Sequence, residues 1–228
     1  MSITAKFKCK DYHSFDEIAP TLKTGDIFLA HGDSPISHLI EDLTWSEWSH
    51  SGMVVLASDI GLTNLPTNIL LWESTRSTEL PDIVTGNYKN NQKYPGGTFL
   101  VNLRDRINLD VKSNEIPIAI RHLNVNRTQG ILSALKKVTD DIRNAYFPGD
   151  VEFIEDFWNG RKHNKPPKSY DHLFCSECVA YTYMKMGILS TEKVPTYYEP
   201  KSFSTENKDG LPLLQGSTLE PEICINRL

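Results

Sequence analysis

Apolar positions along the chain fall into short runs bounded by turn residues. "GDIFLAHG" (25–32), "HSGMVVLAS" (50–58), "NILLWEST" (68–75), "GGTFLVNL" (96–103) and "IPIAIRHL" (116–123) read as strands. The turn-rich "DIGLTNLPT" between the second and third predicts an antiparallel hairpin. A helical period appears over 127–146, where Ile131, Leu135, Val138 and Ile142 share one face. A second helix is expected over 34–45, with Ser34 as cap, Pro35 in the first turn and Ile36, Leu39, Ile40 and Leu43 on its apolar side. A short one is expected over 14–22, where Ser14 and Glu17 have capping-box spacing. A last helix opens near Cys175 and ends at Gly187.

Helices that flank sequential strands predict an α+β fold, with an antiparallel sheet or half-barrel packed against helices. No internal repeat is visible, so one domain over 1–228 is expected, its core running from about 22 to 190. The Pro- and Gly-punctuated stretch 147–170 reads as a long ordered loop resembling a lid. The tail 191–228 is expected to wrap the surface.

Composition narrows the function classes. A chain of 228 residues with 39% hydrophobic and 23% charged positions can bury a core. A formal net charge of −5 argues against nucleic-acid binding. The N-terminal stretch has no signal-peptide core and no apolar run reaches membrane-span length, so a cytoplasmic protein without an integral membrane segment is expected. Cys9, Cys175, Cys178 and Cys224 are too few for a disulfide framework and are expected as reduced thiols. The sequence does not speak to oligomeric state.

The chemistry concentrates in "HLFCSECVAYTYMKMG" (172–187). A zinc site needs about four ligands, and only one close cysteine pair exists. A thioredoxin-like pair follows a strand, whereas this one follows "NKPPKSYDHLF". The third reading puts Cys175 at a helix N-terminus, where the positive end of the dipole favours a thiolate, and leaves Cys178 as a small buried hydrophobe. In a fourth, both cysteines are core. A nucleophile needs a base and an orienting group. Among seven histidines, His50 starts a strand amid the small residues Ser49, Ser51 and Gly52. Glu73 ends the partner strand after three apolar residues, where a carboxylate requires pairing. A register pairing Gly52 with Trp72 would bring His50 beside Ser74 and near Glu73.

The segments "LKTGDIFLA", "SEWSHSGMVV", "LLWES", "IAIRHL" and "FCSECVAYTYMKMG" resemble, in this order, circularly permuted NlpC-type papain-like cysteine hydrolases, the YiiX-like branch most closely. Lecithin:retinol acyltransferase-like enzymes are more distant relatives. The resemblance implies Cys175 as nucleophile at a helix N-terminus, His50 as base and Glu73 as third member. It makes Gly25 and Asp26 a structural entry motif. It also implies an α+β papain-like fold and no cofactor or metal. Ser49, Ser51, Trp48 and Ser176 flank these positions and are expected to contact substrate. Trp45, Tyr146, Phe147, Phe153, Phe157 and Trp158 are candidates for an apolar pocket or for packing. Cys178 stands where the family has Leu, and 147–170 and the tail do not match.

The implied activity is cleavage of an amide or ester bond, in a peptide, an amino-acid amide, an isopeptide-like amide or an acyl lipid, through a thioester intermediate. A non-catalytic lipid- or peptide-binding module, or a redox protein using Cys175 and Cys178, are the alternatives.

Overall fold

A computed structural model describes residues 12–31, 46–76, 79–88, 96–114 and 117–228. The helix expected over 34–45, including His38 and Trp45, lies outside the described residues, as does Cys9.

Seven strands form one mixed sheet in the order β1–β9–β6–β2–β3–β4–β5. They are β1 (Tyr12–Ser14), β2 (Ile27–Ala30), β3 (His50–Leu56), β4 (Ile69–Thr75), β5 (Gly97–Asn102), β6 (Ile118–Arg121) and β9 (Ile223–Arg227). Every neighbouring pair is antiparallel except β1 with β9, which corrects the expected all-antiparallel sheet. Two short strands, β7 (Leu123–Asn124) and β8 (Thr218–Leu219), pair separately.

Helices cover both faces of the sheet. On one side Ile27, Leu29, Met53, Val55, Leu70 and Trp72 pack against α3 (Gln129–Ile142) and α5 (Cys175–Lys185). Ile131, Leu135, Val138 and Ile142, the face expected from periodicity, are buried there. On the other side Phe28, Val54, Leu71, Phe99 and Ile120 pack against α1 (Phe15–Ile18) and α2 (Leu103–Asn114). Burial on both faces explains why these strands are apolar at consecutive positions.

Local signals set several boundaries. Ser14 Oγ accepts from Glu17 N at 3.3 Å and Glu17 Oε2 accepts from Ser14 N at 2.8 Å, closing the expected capping box. Gly25 sits at φ +97°, and a Cβ there would meet Leu123 Cδ2 at 2.8 Å. Asp26, fully buried, accepts hydrogen bonds from Lys23 N, Leu123 N and Arg127 Nη2, and His122 Nδ1 lies 2.7 Å from its Oδ2. This carboxylate ties the entry of β2 to the turn after β6, as the entry motif implied.

Two expectations are corrected. The stretch 147–170 is not a loop: it holds α4 (Asp150–His163), started at Gly149 and stopped at Asn164 in the left-handed region (φ 49°). Acidic Asp150 and Glu152 in its first turn and Arg161, Lys162 and His163 in its last complement the helix dipole. The tail does not merely wrap: β9 lies inside the sheet between β1 and β6, and Tyr198, Phe203, Cys224 and Ile225 are buried. Cys224 is disulfide-bonded, against the expectation of reduced thiols, whereas Cys175 and Cys178 are free. No helix among the described residues is long and apolar enough to cross a membrane.

Candidate active site

The segment leading into α5 is fastened before the helix begins. Tyr146 N donates to Asp171 O at 2.8 Å and Leu173 N to Tyr146 O at 2.9 Å. Ser74 Oγ, at the end of β4, donates to Leu173 O. Phe174 caps the helix, and its N–H donates to Glu177 Oε2 at 3.3 Å. Phe147, Phe153 and Phe157 pack around Phe174, with the Phe153 and Phe174 rings edge-on at 5.2 Å. These aromatics therefore act as packing behind the helix cap, while Trp158 is partly exposed on α4.

Cys175 is the first residue of α5 and is buried, 2% exposed. Its Sγ lies 3.9 Å from the carbonyl of Ser49, the residue before His50, and it interacts electrostatically with the His50 ring. His50 is the first residue of β3, and its Nε2 lies 2.6 Å from Glu73 Oε2. The Phe28 ring stands edge-on to the imidazole at 6.3 Å. The observed β3–β4 register pairs Met53 with Trp72, one residue from the expected pairing of Gly52 with Trp72. That register continues to Glu73 facing Gly52, two residues from His50 and on the same side of the sheet. Only glycine fits at position 52, since a Cβ there would meet Leu71 Cδ1 at 2.9 Å and Trp72 O at 3.2 Å.

His50 and Glu73 alternate with residues of opposite facing. Val54 and Leu71 share their side, the α2 side, whereas α5 packs on the other. Sulfur and imidazole meet because each residue begins its element, so the contact forms at the end of the sheet. β4 serves both sides at once, Glu73 reaching His50 and Ser74 reaching Leu173.

The electrostatics follow from burial and pairing. Burial works against a charged His50, but the hydrogen bonds with Cys175 and Glu73 outweigh it and raise its pKa to about 9. Burial pushes Glu73 upwards, yet the Arg106 and His50 charges hold it below the usual carboxylate range. His50 is therefore an imidazolium at neutral pH, flanked by a carboxylate and a thiol. Glu177, also buried, is driven well above the usual range by desolvation.

The residues expected to contact substrate are all enclosed. Trp48 is in the core at 4% exposure, and Ser49 is at 2%. Ser51 and Ser176 are fully buried, and the Ser176 hydroxyl donates to Tyr198 O at 2.9 Å. In this structure they form the packed surroundings of Cys175 and His50, not an open binding surface. Cys178 is fully buried among the residues of the α5 side. Among the described residues no group of three or more His, Cys, Asp or Glu is arranged to hold a metal ion.

One participant escaped the sequence reading. Arg106, on α2, donates from Nε to Glu73 Oε1 at 3.1 Å and Oε2 at 3.3 Å, and from Nη1 to Asp110 Oδ1. The i, i+4 spacing of Arg106 and Asp110 was visible, but nothing pointed either inwards.

No family model matches the sequence, and no curated protein matches it. Among solved structures the chain is similar to the metalloprotein YiiX from Escherichia coli O157:H7, at 19% identity and a TM-score of 0.45. The alignment covers 72% of this chain and 66% of that one, slightly under two thirds of its length.

Proposed function

We propose that the chain is a cysteine hydrolase that cleaves an amide or ester bond through a thioester acyl-enzyme. The observation that carries this reading is the buried His50–Glu73 contact at 2.6 Å with the Cys175 thiol beside it at the head of α5, 3.9 Å from the carbonyl of Ser49. A thiol beside a histidine and at a helix N-terminus is placed to act as a nucleophile. The motif resemblance to permuted papain-like hydrolases supports the same roles, and a helix-borne cysteine against a sheet-borne histidine suits that fold.

The chemistry runs as follows for a peptide, an amino-acid amide or an acyl lipid. The Cys175 thiolate attacks the carbonyl carbon, forming a C–S bond and an oxyanion. N–H groups of the first turn of α5 stabilise that oxyanion. His50 donates its proton to the departing amine or alcohol as the carbonyl bond to it breaks. Neutral His50 then takes a proton from water, hydroxide attacks the thioester, and the thiolate leaves. Glu73 holds the ring orientation throughout. An amine or alcohol in place of water would give acyl transfer.

The redox alternative is less well supported, because Cys178 is fully buried in packed apolar surroundings. The test is acylation by a p-nitrophenyl ester, followed by intact-mass spectrometry and peptide mapping. The parent protein is expected to carry one acyl adduct on Cys175 and to release it with time. Cys175→Ala and His50→Ala are expected to form none. Equal acylation of the parent and His50→Ala, or an adduct on Cys178 instead, would overturn the assignment.

A further inference from the structure

The polar chain does not end at Glu73. We propose that Arg106 is a positioning residue for the candidate active site, holding the Glu73 carboxylate in the one orientation that serves His50. This inference rests on the thiol–imidazole reading above and extends it to a residue 33 positions from Glu73 in sequence.

The geometry is a fork. Arg106 Nε reaches both carboxylate oxygens of Glu73, while its Nη1 is held by Asp110 one helical turn further on. Both side chains are nearly enclosed, with side-chain exposures of 12% and 1% for Arg106 and Glu73. α2 follows β5 directly and is seated by the buried Leu103 and Ile107, which set the turn that carries Arg106 against β4. Glu73 Oε2 thus accepts from His50 on one side and Arg106 on the other, so rotation of the carboxylate would break both contacts.

The energetic need is plain. A buried carboxylate without a counter-charge takes up a proton. Protonated Glu73 would still hydrogen-bond His50, but it would no longer favour the imidazolium. The thiolate would lose its counter-ion in turn. Arg106 is the strongest charge opposing that outcome at Glu73. Asp110 keeps the guanidinium in place and balances its charge.

The experiment measures iodoacetamide alkylation of Cys175 against pH, in a Cys178→Ala background, with the Cys175 peptide quantified by mass spectrometry. No substrate is needed. Arg106→Gln is expected to move the profile to higher pH and slow alkylation near pH 6 about tenfold. Arg106→Lys, which keeps the charge, is expected to recover most of that rate. If Arg106→Gln alone fails to fold, Arg106→Gln/Asp110→Asn removes both charges together and is expected to show the same displacement. A profile for a folded charge-removed variant that superimposes on the parent's would overturn the proposal. His50→Ala separates the two readings. Loss of the low-pH reactivity in His50→Ala but not in the Arg106 variants sinks only the positioning role. No change in His50→Ala sinks the thiol–imidazole pair itself.

Discussion

Replacing Glu73 by Gln probes the electrostatics of the site with little change of shape. Gln fills the same volume and its amide oxygen can still accept from His50 Nε2, so the substitution removes the charge together with one of the two acceptors that face Arg106. In the parent, His50 rises from 6.5 to about 9 although burial acts the other way. At about 1.36 kcal/mol per pKa unit, that rise is roughly 3 kcal/mol in favour of the imidazolium. Cys175 and Glu73 share this effect, and both the hydrogen bond and the charge of Glu73 contribute. Without the carboxylate charge, the His50 midpoint is expected to fall by about one pH unit, on the order of 1 kcal/mol. Long-range proton–nitrogen NMR of the imidazoles measures it, with His50→Gln assigning the signal.

Folding stability gives an independent measure. A histidine whose folded pKa exceeds its unfolded value stabilises the protein fully below the unfolded pKa, and that stabilisation is lost as pH rises through the folded one. For His50 the window runs from about 6.5 to about 9. Urea midpoints of the parent are therefore expected to decline across this window more than those of Glu73→Gln. A His50 midpoint that is the same in both proteins would refute the reasoning.

Two further predictions concern the scaffold. A Cβ at Gly160 of α4 would meet Thr196 Oγ1 at 2.2 Å and Thr196 C at 2.6 Å, so Gly160→Ala is expected to lower stability by about 1–3 kcal/mol in urea unfolding. A gain in stability, as alanine's helix propensity alone would give, would contradict the close α4–Pro195–Tyr197 docking. Asp26→Asn removes a fully buried charge that faces His122 and Arg127, and is expected to cost about 3 kcal/mol by the same measurement. A loss well under 1 kcal/mol would show that the neutral amide satisfies these partners equally well.

What sequence alone determined here is what neighbouring residues decide among themselves. Apolar runs bounded by turn residues located β2 to β6, and the Ser14–Glu17 pair and the 3.6-residue period of α3 located those helices. Cys175, His50 and Glu73 stood out because each is costly or unusual at its local position. α4 was missed because its buried side is built from Phe153, Phe157 and Gly160, and prolines and glycines around it looked like loop punctuation. β9 was missed because its partners, β1 and β6, lie about 210 and 105 residues away in the chain.

Only the tertiary structure decided how the site closes. A one-residue change of strand register moves a side chain to the other face, so the 2.6 Å contact between His50 and Glu73 required the β3–β4 pairing to be known. The placement of Cys175 beside His50 required more, since alternation along β3 turns His50 to the face opposite the one α5 covers, and only docking of the helix brings its first residue to that end of the sheet. Arg106 shows the limit most clearly. In "LRDRINLDVKSN" it is one charged residue of a polar helix, indistinguishable from the arginine two positions before it. Docking of that helix face against β4 takes Arg106 out of water and onto Glu73, and long-range packing, not local sequence, chooses the face.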